Sequence, residues 1–462
     1  MLIVNADVDG VRLDVRFNDK ILELNSSIQP APDEDVIDAK GGALLPGLHD
    51  HHMHFLATAA WANSVDCGAV DITGPEELGR LLKQQSGSGW LRGVNYHESI
   101  AGELQVRALD ELADHRPVRI QHRSGKVWML NSAAVETLEL QRFTDLAGVE
   151  VDANGAVTGR LFRLDGWLRE RLAADLVSDI SSLSRKLSSY GVTGFTDTSA
   201  TNSQQTAQLF ADWQAKDVIQ QDVLLMGDDT LDAGPLKVIL DEDSLPQLDD
   251  LVRRLQSARE RGRSIAFHCV SHLELLFALS ALDQVPADPR DRIEHGAIVY
   301  DEMLPQLQQR GVSVVTQPGF LWQRGDQYLQ DLAPREVAVL YRHRTLQEAG
   351  VNTVISSDAP YGPVNPWQVM DAASRRTTRS GAIIGDEERI HPDDSLRGYL
   401  LHAHGLQEPK REIKIGAMAD FCLLQHPWCE AKKRVAEVEV QATIRAGEVV
   451  FGREKGKTLG VA

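Results

Sequence analysis

Four histidines fall within six residues, His49, His51, His52 and His54, in the stretch Pro46-Gly47-Leu48-His49-Asp50-His51-His52-Met53-His54. Imidazole nitrogen is an ordinary donor to zinc and related divalent ions. Alternate side chains of a strand share a face, so His52 and His54 point the same way, about 6.6–6.8 Å apart along the backbone, and can grip one ion. His49 and His51 have the opposite phase and are expected to be supporting or structural. Further along, His268, His295 and Asp358 each close a short, mostly apolar run. Four imidazoles and a carboxylate make a donor set for a divalent metal.

These groups need strands to carry them. Gly41-Gly42-Ala43-Leu44-Leu45 leads into the first histidine pair as an apolar, glycine-rich approach. Strand candidates follow at 194–198, 222–227, 236–240, 265–270, 292–295, 312–317 and 353–358, several of them near-continuous apolar runs that suit parallel strands covered on both faces. Amphipathic helical stretches lie between most of them, such as Leu248 to Arg261 and Glu302 to Arg310. Counting the histidine strand, this α/β repeat predicts a (β/α)₈ barrel of the TIM type, with chemistry at the C-terminal strand ends.

Both chain ends read differently. Leu2-Ile3-Val4, Val11 to Phe17 and Ile21 to Leu24 alternate polar and apolar residues between turn signals, as do 419–424 and 440–450, the last with a hairpin turn at Ala446-Gly447. A β-sandwich built from both ends is expected, with residues 1–48 and 408–462 flanking a hydrolase barrel at 49–407. Residues from about 62 to 180 break the repeat and predict an inserted subdomain after the first barrel strand, shaping access at the barrel mouth.

At 462 residues the chain needs more than one small core, and 48 basic against 67 acidic residues give a net charge of −19. That balance argues against nucleic acid or an anionic membrane as the main partner and leaves a small-molecule substrate; a homodimer is compatible with it. No apolar window suits a membrane span and no export signal is apparent, so a cytoplasmic location is expected. The four cysteines, Cys67, Cys269, Cys422 and Cys429, show no CxxC spacing and read as buried thiols. No phosphate-binding or dinucleotide loop is present.

The motifs PGLHDHHMH (46–54), LKVILDED (236–243), FHCVSHLELLFAL (267–279), DPRDRIEHG (288–296), VVTQP (314–318), ISSDAPYGPVNPW (355–367) and GAMADFCLL (416–424) together resemble the metal-dependent amidohydrolases, in particular the branch that contains N-substituted formamide deformylase. The resemblance implies a metal-dependent hydrolase cleaving a C–N bond (amide, formamide or cyclic amide-like) by attack of metal-activated hydroxide. His52, His54, Lys237, His268, His295 and Asp358 would be the metal ligands, and Asp358 the catalytic general base and acid. The cofactor would be one or two divalent ions per chain, with zinc expected, although these donors also admit manganese, iron or cobalt. Lys237 would ligate only as a CO₂-derived carbamate, because an ammonium offers no lone pair; the alternative pairs it with Asp241 or Glu242. The rival activity is mononuclear deamination of a ring or guanidine-like compound. Lys126 stands where relatives often carry a histidine, and Lys126, Gln317, Trp322 and Tyr361 are candidate substrate-pocket residues.

Overall fold

The computed structural model describes residues 1–62, 64–68, 72–87, 89–172, 180–454 and 457–458. The chain forms an α/β protein of two compact units, one of Met1–Phe55 with Ser181–Ala462 and one of Leu56–Ile180.

In the larger unit, two parallel sheets hold eight strands. The three-stranded sheet runs Asp222–Leu225, Val192–Asp197, Leu48–Met53; the five-stranded sheet runs Leu236–Ile239, Ile265–Cys269, Arg292–His295, Ser313–Thr316, Thr353–Ile355. Parallel bridges join them at both junctions, Gly227 to Leu236 and Met53 to Ala359. Near-continuous apolar sequence makes these strands, because helices cover their outer faces. Leu236, Phe267, Ile293 and Val314 share one buried cluster with Leu251 and Leu255 of helix Leu248–Glu260 and Leu275 and Leu279 of helix His272–Leu282. The strand-to-helix turns are written locally. After His268, the Ser271 hydroxyl accepts from the Glu274 amide while the Glu274 carboxylate accepts from the Ser271 amide at 3.0 Å, a reciprocal cap that starts the helix at once. Gly311, at φ 67°, ends helix Leu304–Arg310 in the left-handed conformation that glycine tolerates, two residues before the next strand.

The terminal segments pair into two further sheets. One has the order Ile21–Asn25, Val11–Phe17, Leu2–Val8, Val36–Asp38; the other runs Lys457–Thr458, Glu448–Glu454, Val440–Arg445, Phe421–Leu424, Leu44–Pro46. A single apolar cluster draws Ile3, Val15 and Phe17 from the first and Leu44, Phe421 and Ile444 from the second, with the Phe17 and Phe421 rings edge to face at 5.1 Å. Leu44–Pro46 runs directly into the ligand-bearing strand Leu48–Met53 through Gly47, where a Cβ would lie 2.2 Å from the Thr193 hydroxyl. Only glycine fits that approach.

The smaller unit carries a six-stranded mixed sheet. Val65–Asp66, Leu91–Tyr96 and Val118–His122 are parallel; Val127–Leu130, Val157–Phe162 and Val149–Val151 continue it antiparallel. No helix among the described residues is long and apolar enough to cross a membrane.

One reading needs correction. Cys429 is exposed, because it sits in the one-turn helix Trp428–Ala431 outside the sheet core that covers Cys422; Cys67, Cys269 and Cys422 are buried.

Phe421→Ala is expected to lower stability by about 3–5 kcal/mol, the usual cost of deleting a buried phenyl ring. Denaturant unfolding checks it, and a loss under about 1 kcal/mol would show that the two terminal sheets do not depend on this contact.

Candidate metal centre

His52 is the penultimate residue of the strand Leu48–Met53, His295 closes Arg292–His295, and Asp358 follows Thr353–Ile355. One donor atom from each lies within 4.8 Å of the others. The His52 and His54 Nε2 atoms both stand 3.3 Å from Asp358 Oδ1, and His295 Nδ1 is 3.9 Å from Oδ2. The first and last strands of the circuit are stitched here, since the Asp358 amide donates to His52 O at 2.7 Å and the His54 amide to Ala359 O at 2.8 Å. His268 sits one strand over from His295, their rings edge to face at 4.4 Å. Lys237 lies two residues deeper, in register with Ala266.

One ring nitrogen of each of three imidazoles is held, and for His295 it is the same Nδ1 that lies 3.9 Å from Asp358 Oδ2. His52 Nδ1 meets the Glu294 carboxylate, which Arg292 grips through Nε and Nη2. His54 Nδ1 meets Ser199 Oγ at 3.1 Å. His295 Nδ1 meets Gln317 Oε1 at 2.8 Å, and that amide can face only one way because its Nε2 donates to Val315 O at 3.0 Å. A carboxylate and an amide oxygen only accept, so His52 and His295 carry the proton on Nδ1 when neutral, which leaves the lone pair on Nε2, and in His52 that nitrogen faces Asp358.

Electrostatics follow burial and neighbours. Burial would raise Glu294, but Arg292, Lys237 and His52 outweigh it and hold the carboxylate well below its ordinary range. Burial likewise opposes ionisation of Asp358, and His52, His54 and His295 reverse that. Burial pushes His295 down to about 3, and His268 well below the imidazole range, keeping both rings neutral and able to ligate. His52, between Asp358 and Glu294, is raised despite its burial.

Lys237 Nζ, Asp358 Oδ1 and Arg292 Nη1 are buried here without a hydrogen-bond partner. The Asp358 oxygen has two imidazole nitrogens close by that are not angled to bond to it, as expected of donors aimed at a common ion. The pairing of Lys237 with Asp241 or Glu242 is not made. His52, His54, His295 and Asp358 therefore fit a divalent ion, with His268 beside them.

The expected pocket residues separate. Gln317 is fully buried and its amide is spent on His295, Val315 and Ser356, so it holds the His295 ring. Tyr361 packs its ring against His54 at 5.7 Å. Trp322 is 45% exposed under the Arg379 guanidinium. Lys126 belongs to the smaller unit, on the wall of a pocket with Tyr96, His122 and Arg160. His49 and His51 are buried and bonded to Thr196 Oγ1 and Gly398 O at 3.0 and 3.1 Å, in supporting positions as their phase suggests. Sequence reading missed Glu294, Arg292 and Ser199. An acid and a base at alternate positions of a buried strand, the acid one residue before His295, is the signal that could have found the first two.

The amidohydrolase family profile matches residues 35–451. The chain is 24% identical to N-substituted formamide deformylase of Arthrobacter pascens, over 92% of this chain and 91% of that protein. Its fold matches an uncharacterised metal-dependent hydrolase of Pyrococcus horikoshii OT3 with a TM-score of 0.71 at 17% identity, covering 97% of this chain and 99% of that one. It also matches 5-methylcytosine deaminase of Klebsiella pneumoniae, with a TM-score of 0.54 at 15% identity and 98% of both chains covered. With the family profile spanning most of its length and its fold shared with metal-dependent hydrolases, the chain belongs to the amidohydrolase family, as a hydrolase of carbon–nitrogen bonds.

Proposed function

We propose that this protein hydrolyses an amide, formamide or cyclic amide-like bond of a small molecule at the ends of its eight parallel strands, read as a (β/α)₈ barrel flanked by a β-sandwich from both termini. The observation that carries the reading is the convergence of His52, His54 and His295 on the Asp358 carboxylate. A divalent ion held there, zinc by donor type, would polarise the scissile carbonyl and acidify water.

The chain's own groups do the rest. Asp358 is an ionised carboxylate whose Oδ1 has no hydrogen-bond partner, so it can take a proton from attacking water and return it to the leaving nitrogen. Glu294 acts through His52: clamped by Arg292, it fixes the ring and its tautomer. Lys237 has its pKa lowered, foremost by burial, which favours the neutral amine. A neutral amine adds to CO₂ with loss of one proton to give a carbamate, an anion able to ligate. The compact cluster of only His52, His295 and Asp358 favours the rival single-ion deaminase to this extent: it needs no carbamate. Two ions at the strand ends support the hydrolase, and one ion there with Lys237 unmodified supports the rival.

Three measurements test this. Asp358→Asn is expected to lower kcat by about 10²–10⁴ on an amide panel read by amine release; unchanged turnover removes Asp358 as proton carrier. Glu294→Gln is expected to weaken metal affinity by about 10–100-fold, read by chelator competition on folded protein; wild-type affinity would show that the Glu294 contact does not orient His52. Lys237→Ala is expected to lose bound metal by elemental analysis, and full occupancy in that variant refutes a ligand role.

A further inference from the structure

The smaller unit has a second convergence of imidazoles. His97 follows the strand Leu91–Tyr96 and His122 closes Val118–His122, its parallel neighbour, so both sit at the C-terminal ends of adjacent parallel strands. Glu98 lies between them. Its Oε2 is 2.9 Å from His122 Nε2 and its Oε1 is 3.6 Å from His97 Nε2. One donor atom from each of the three lies within 4.8 Å of the others.

Each histidine belongs to a His-x-Ser unit. His97 Nδ1 is 2.8 Å from Ser99 Oγ, and His122 Nδ1 is 2.8 Å from Ser124 Oγ. The serine amides also approach these nitrogens, at 3.2 and 3.1 Å. Without an ion the amides donate to Nδ1 and each Nε2–H faces Glu98. An ion bound at Nε2 requires the ring proton on Nδ1, where the serine hydroxyls accept it and the serine amides give way, so that both Nε2 lone pairs face the ion. Each hydroxyl then stands to its ring as Ser199 Oγ stands to His54 Nδ1 at the strand-end site. Backbone fixes the spacing: the Arg123 amide donates to Tyr96 O at 2.8 Å, and the Tyr96 hydroxyl donates to Gly102 O at 2.6 Å across the turn bearing Glu98.

We propose that His97, Glu98 and His122 form a divalent-cation site of the zinc type, with three protein ligands and an open coordination position. Two imidazoles and a carboxylate are a zinc donor set, and three protein ligands leave room for a water or an oxygen donor. Tetrahedral zinc with bonds of about 2.0–2.1 Å sets its ligand atoms about 3.3 Å apart, so small side-chain shifts close the cluster. Glu98 and His122 also line a pocket of about 410 Å³ with Leu104, Met129, Phe162 and Arg160, which gives a small oxygen-bearing ligand space beside the ion. The site uses none of the residues that hold the proposed catalytic ion.

The test is zinc stoichiometry of the full-length enzyme after equilibrium dialysis against micromolar zinc. The His97→Gln/His122→Gln double variant is expected to retain one equivalent fewer than the parent, and Ser99→Ala/Ser124→Ala to bind that equivalent about 10–100-fold more weakly. Should the double histidine variant fail to fold, Glu98→Gln, at a side chain 57% exposed, is expected to lose the same equivalent. Anomalous density between the three side chains in zinc-soaked crystals would support the site. Equal zinc content and equal affinity in the parent and the folded variants would overturn it.

Discussion

The strand-end site depends on a division of labour within the imidazoles of His52 and His54: Nδ1 is tied to the protein, so Nε2 is aimed. His52 makes the point most sharply. Its Nδ1 is bonded to a carboxylate that a buried guanidinium already neutralises, and its Nε2 faces a second carboxylate. A histidine free to rotate or change tautomer would spread its lone pair over several directions and lose conformational entropy on binding. Glu294, Ser199 and Gln317 remove that freedom beforehand, and burial keeps His268 and His295 unprotonated. The metal site is therefore assembled from its second layer inward.

The backbone carries some of the cost. His295 and Asp358 adopt left-handed φ values of 71° and 49°, where a side chain with a Cβ is strained by roughly 1–3 kcal/mol each. Both lie where a parallel strand ends and its loop begins, so the chain turns sharply as it delivers the side chain. Ladder bonds on both sides and the ties between Asp358, His52, His54 and Ala359 hold those turns. The strain is local, and eight packed strands over-determine it.

The parts of this arrangement that were legible in the sequence are those set by local rules. Continuous apolar runs gave each parallel strand to within a few residues, and the phase of two separated the ligand pair His52 and His54 from His49 and His51. What stayed hidden depends on register between distant strands. His52 and Glu294 are 242 positions apart, and only the order of the sheets brings them together. Gln317 was assigned to a pocket because an isolated polar residue after a strand invites that role; its neighbours in space, Val315, Ser356 and His295, consume it. His97 and His122 escaped attention for the same reason, since nothing local says that their strands are parallel neighbours with Tyr96 opposite His122.

The buried charges show why such a site is retained at all. Arg292, Lys237, Glu294 and Asp358 are each at most 4% exposed, and an apolar core of equal volume would avoid the desolvation of all four. Arg292 and Glu294 pair through two hydrogen bonds, although Arg292 Nη1 is left without a partner. Lys237 Nζ and Asp358 Oδ1 are likewise buried without a hydrogen bond, and an unsatisfied buried polar atom costs about 1–3 kcal/mol or more when charged. Selection for stability alone would remove them or pair them. Such atoms, two strained backbone positions and the aimed imidazoles of His52 and His54 coincide at one end of the strands, so the fold gives up stability at the place where a ligand would restore it.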